Sequence, residues 1–62
     1  MTNGVPTLPQ RLDLMILRGE LSQIKALVEK RILSTPTGEV RNVYCDINIG
    51  LTESLEKIQQ LL

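Results

Sequence analysis

The sequence predicts an all-α protein, an antiparallel two-helix hairpin that assembles into a homo-oligomer. Three observations predict it. Apolar residues recur at helical spacing on both sides of a single break, Ser34-Thr35-Pro36-Thr37-Gly38. The chain has 62 residues, which makes residues 1–62 one domain, and a domain that small hides only about 60% of its unfolded surface. The usual staples are missing, because Cys45 is the single cysteine and there is no histidine. No internal disulfide is possible and a zinc or haem staple is disfavoured, so self-association is the remaining way to hide apolar surface.

Residues 1–7 read as a lead-in arm, polar and containing Gly4 and Pro6. Thr7 is placed to cap a helix that opens with Leu8 and Pro9, since proline in the first turn loses no hydrogen bond. Helix one is predicted over Leu8–Leu33. Leu14, Leu17, Leu21, Ile24 and Val28 follow one another at spacings of three and four, which makes a heptad seam. Leu12, Met15, Ile16, Leu27 and Ile32 widen that seam, so the helix needs cover on more than one side.

The break follows. A residue before proline is pushed out of the α region, so helix one should stop at Ser34-Thr35. Thr35-Pro36 then reads as the cap and first residue of helix two, predicted over Pro36–Leu62. Val40, Val43, Tyr44, Ile47, Leu51, Leu55, Ile58 and Leu62 mark its buried side. Val43–Ile49 is rich enough in β-branched residues to suggest a strand. Helix is preferred, because the three-and-four spacing continues to Leu62 and a lone strand has no partner. Gly19 and Gly50 interrupt the two helices. In a hairpin turning near Pro36 they fall within about one helical turn of the same level, a place for backbones to approach.

Seven basic and seven acidic side chains give a net charge of zero. Long nucleic acid is disfavoured as a partner, because many phosphate contacts need a basic excess. No apolar run approaches the roughly 20 residues of a membrane span. A free cysteine without a signal-like N-terminus fits a reducing cytoplasm.

The chain reads as a non-enzyme with no cofactor. The commonest general base is missing with histidine. Cys45 stands among apolar neighbours as a core thiol, and Thr37-Gly38 is a turn, not a phosphate loop. Two charge stripes are better organised. Arg11, Arg18 and Lys25 recur every seven residues on helix one, and Glu39, Asp46 and Glu53 on helix two. The expected register sets Lys25 level with Asp46 and Arg18 level with Glu53. The stripes pair with each other as surface ions, or the cations face a ligand phosphate. Arg41, Tyr44 and Asn48 share a second face by spacing. Arginine grips phosphate, tyrosine stacks on a base and asparagine bonds a base edge. The same three residues equally suit a polar, register-setting interface.

A helix followed by Thr35-Pro36, four residues, Arg41 and an amphipathic helix resembles the helical hairpin of phage anti-CBASS sponges, shared with anti-Thoeris sponges. The resemblance covers roughly Leu21 to Leu62. Asn48 is polar where the family tends to have threonine, and the chain departs from the pattern at Asn42, where the family often has an aromatic residue, and at Glu53-Ser54-Leu55, where it tends to have a Gly-Phe-Met-like run. The resemblance implies non-catalytic sequestration of cyclic di- or trinucleotide signals, caged between subunits of a homo-hexamer in the host cytoplasm. Arg41, Tyr44 and Asn48 are then the first candidates for ligand contact, with Arg11, Arg18 and Lys25 as further phosphate contacts. A coiled-coil adaptor that binds a partner protein's helix is the competing reading. An antitoxin-like nucleic-acid regulator is a weaker third, disfavoured by the zero net charge.

Overall fold

The computed structural model describes residues 4–62. Of the lead-in arm, residues 1–3 lie outside the described residues. Two helices make up the fold, α1 (Leu8–Ser34) and α2 (Glu39–Leu61), packed against each other, with no strand among the described residues.

Helix α1 starts where the sequence indicates. Thr7 is its N-cap, in an extended conformation, and Pro9 occupies the first turn. The Gln10 N–H donates to Thr7 Oγ1 at 3.4 Å, and the Thr7 N–H donates back to Gln10 Oε1 at 2.8 Å. This reciprocal box satisfies two N–H groups that a helix start leaves unpaired.

Helix α2 starts later than predicted, and the expected Thr35-Pro36 cap is corrected. Thr35 closes α1. Its backbone is extended at φ −107° and ψ 130°, as a residue before proline prefers. Its hydroxyl donates to the Arg31 carbonyl at 2.6 Å and its N–H to the Ile32 carbonyl at 3.4 Å. A threonine occupied with the end of one helix is not free to cap the next. Gly38 takes the N-cap of α2 instead, with φ 159° and ψ −168° and no side-chain cap. The four residues Thr35 to Gly38 therefore form the connection.

Burial follows one heptad seam on each helix. On α1 the half-buried positions are Leu14, Arg18, Leu21, Lys25, Val28 and Ile32. On α2 the seam runs through Arg41, Tyr44, Asn48, Leu51, Leu55, Ile58 and Leu62. Spacings of three and four keep each seam facing the partner helix. Ile58, at 9% exposure, is the one buried side chain among the described residues, and none is fully enclosed. Several residues of the predicted apolar faces are open to solvent within one copy: Leu17 and Ile24 on α1, and Val40, Val43 and Ile47 on α2. The reason is geometric. Each helix carries two neighbouring apolar stripes, and a single opposing helix covers only one.

The predicted register also shifts. Arg18 Nη1 donates to Gln59 Oε1 at 3.0 Å, not to Glu53. Gln59 lies roughly six residues further along α2, close to two turns by helix geometry. The longer connection moves the apex of the hairpin past Pro36. Gly19 and Gly50 consequently sit apart, and an added Cβ at either meets nothing within 4 Å. The close approach expected between them does not occur within one copy. No helix of the described residues is long and apolar enough to cross a membrane.

Candidate functional site

The six side chains singled out from the sequence fall into two groups. Arg41, Tyr44 and Asn48 do share one face of α2, as their spacing requires, and all three are half-buried. That face is the seam turned toward α1. Arg18 and Lys25 also lie in the seam, from the α1 side, while Arg11 is exposed.

Arg41 is the third residue of α2, in its first turn. Its Nη1 donates to Thr37 Oγ1 at 3.3 Å, across the connection. This contact folds the guanidinium back over the helix start. No carboxylate pairs with it among the described residues. A guanidinium at a helix N-terminus gains nothing from the helix dipole, so an anion placed there meets both the arginine and the free N–H groups.

Asn48 is the second notable group. Its Oδ1 is buried without a hydrogen-bond partner, while its backbone carbonyl accepts from Thr52 Oγ1 at 2.9 Å. A buried acceptor without a donor typically costs about 1–3 kcal/mol. Asn48 lines an open cleft of about 420 Å³ together with Glu29, Ile32 and Leu33. Glu29 in turn accepts from Lys25 Nζ at 2.6 Å, the ion pair of one helical turn. Lys25 therefore pairs along its own helix and not with Asp46. Cross-helix pairing of the two charge stripes does not occur, and the acidic stripe faces away from the seam.

Arg18 resembles Arg41 in its surroundings. It is half-buried, bonds a neutral amide and has no carboxylate partner among the described residues. Arg18 and Arg41 stand near opposite ends of the hairpin, so one copy does not bring them together. Cys45 is a free, half-buried thiol beside the seam. Among the described residues no group of three His, Cys, Asp or Glu is placed to hold a metal ion.

A second open cleft of about 400 Å³ lies at the other end. Val5 and Pro6 of the arm line it with Gln10, Asp13, Leu14 and Leu61. Spacing and composition do not reveal it, because the arm carries no motif that fixes where it packs. Compared with known proteins, the chain matches no family model, no curated protein and no solved structure.

Proposed function

We propose that the protein acts by association and not by catalysis, as a sponge that holds a small anionic ligand between copies of itself. The ligand class is the cyclic di- and trinucleotides that the anti-CBASS sponges sequester. One observation carries the association: among the described residues Ile58 is the sole buried one, while fourteen large apolar side chains stay exposed. A chain with that surface needs cover, and identical copies supply it at every copy number.

The ligand part is supported by Thr35-Pro36 and Arg41, on which the family resemblance rests, and by the chemistry of Arg41. Half-buried and unpaired with any acid among the described residues, its guanidinium is available to phosphate. Asn48, with a buried carbonyl lacking a donor, suits a base edge that offers an N–H. Native mass spectrometry with a panel of cyclic di- and trinucleotides tests both parts together. The expected result is an oligomer that retains nucleotide. Arg41→Ala should then weaken binding by roughly 1.5–3 kcal/mol, the scale of a hydrogen bond to a charged group, with the oligomer intact.

The adaptor reading is favoured by a different observation, the length of open apolar surface along both helices. A chain that stays monomeric, binds no cyclic nucleotide and pairs with a foreign amphipathic helix would establish it in place of the sponge.

A further inference from the structure

One face of the hairpin carries a pattern that neither helix explains alone. Asp13 on α1 and Leu61 on α2 line the same cleft, which identifies the flank of each helix on that face. Counting from Asp13 at heptad spacing gives Leu17, Glu20, Ile24 and Leu27. Counting back from Leu61 gives Lys57, Ser54, Gly50, Ile47 and Val43. The Arg18–Gln59 contact lies on the opposite face and agrees with this assignment. Every residue of the two rows is exposed. Leu17, Ile24, Leu27, Val43 and Ile47 are each 44–54% open to solvent.

The two rows are complementary in size and charge. The Arg18–Gln59 contact sets the levels of the helices, so Leu27 stands level with Gly50, Ile24 with Ser54, Glu20 with Lys57 and Leu17 with Leu61. Leu27 and Ile24 on α1 match the small Gly50 and Ser54 on α2, Leu17 matches the apolar Leu61, and the acid Glu20 matches the base Lys57. Within one copy these rows lie side by side and point the same way, so they do not meet. We propose that two copies pack these faces together about a two-fold axis parallel to the helices. Each α1 then lies against the partner's α2.

Such an axis leaves every residue at its own level. Leu27 is thereby seated over Gly50 of the partner subunit, where an added Cβ meets nothing in its own chain. Glu20 meets Lys57 of the partner subunit, and neither has an ion-pair partner among the described residues of its own copy. The same contacts recur twice, as two-fold symmetry requires. A standard interface needs about 800 Å² per partner, and the hairpin, with extents of 49 × 20 × 11 Å, offers a face of that size. An axis perpendicular to the helices serves less well. It stacks α1 on α1 and α2 on α2, and loses the match of large with small.

This inference rests on the association part of the proposed function and is independent of any nucleotide. Its test starts from Cys45→Ser, so that no native thiol interferes. Chains carrying Leu27→Cys and chains carrying Gly50→Cys are mixed and oxidised. A disulfide joining one of each is expected, well above the two same-site products. Predominant same-site products would overturn the axis. Charge reversal gives an independent readout on exposed residues that the fold does not need. Glu20→Lys alone and Lys57→Glu alone should each weaken dimerisation by about fivefold to tenfold, since surface pairs are individually weak and each counts twice. The double reversal should restore it, and failure to restore would overturn the Glu20–Lys57 contact. Sedimentation of the unmodified chain without ligand separates the levels of failure. A folded monomer at high micromolar concentration, its face covered by the arm or left for a foreign partner, defeats association itself. An oligomer without the mixed disulfide defeats only this face.

Discussion

Asn48 is the residue at which stability and the proposed ligand compete. Its side-chain carbonyl is buried without a donor at a seam position that otherwise suits a leucine. Asn48→Leu removes the unpaired acceptor and adds apolar contact, so it should raise stability by roughly 1–2 kcal/mol in urea denaturation. If Asn48 reads a base, the same variant should lose nucleotide affinity while melting later. A variant that is more stable and equally tight-binding would remove Asn48 from the site. Thr7 gives a simpler case, since its hydroxyl accepts one half of the capping box, while its backbone N–H and the Gln10 side chain make the other. Thr7→Ala should cost about 1 kcal/mol, seen as a lower urea midpoint with an unchanged slope.

At the scale of the element, the two helix glycines separate propensity from packing. Glycine inside a helix costs about 1 kcal/mol relative to alanine. Both sites are open within one copy, so Gly19→Ala should recover most of that amount. Under the proposed two-fold packing, Gly50→Ala should recover less in the assembled protein, because its new methyl group would meet Leu27 of the partner subunit. Comparing the two by chemical denaturation, at protein concentrations above and below assembly, isolates the difference. Equal gains at both concentrations would argue against a close approach at Gly50. The connection shows how one residue type serves two ends. Thr35 was legible as a boundary residue, yet which helix it serves depended on a hydrogen bond to Arg31. Spacing does not reveal that bond.

At the scale of the molecule, the hairpin is long and thin, 49 × 20 × 11 Å, with little interior. Its stability should therefore depend on protein concentration, as linkage to assembly requires. The melting temperature is expected to rise with dilution reversed, and a concentration-independent value would contradict association. Leu21→Asp should leave an unfolded chain, since Leu21 lies half-buried against α2 and a charge there has no partner. Circular dichroism reports that loss of helix directly. Leu12 and Ile16, exposed on the back of α1, are left open by a two-copy bundle and offer surface for higher assembly.

The sequence by itself determined the two helices, the cap at Thr7, the absence of a strand at Val43–Ile49 and the shared face of Arg41, Tyr44 and Asn48. These depend on spacing and on local hydrogen bonding, which a linear chain carries in full. Tertiary structure decided which apolar stripe each helix buries, that Arg18 meets Gln59, that Lys25 pairs with Glu29, and that Asn48 keeps a buried, unpaired carbonyl. These depend on the relative level and rotation of the two helices. Both were set by four connecting residues whose conformation answers to the end of α1 and the start of α2 together. A helix with two adjacent apolar stripes has no local preference between them, and only the opposing helix breaks the tie.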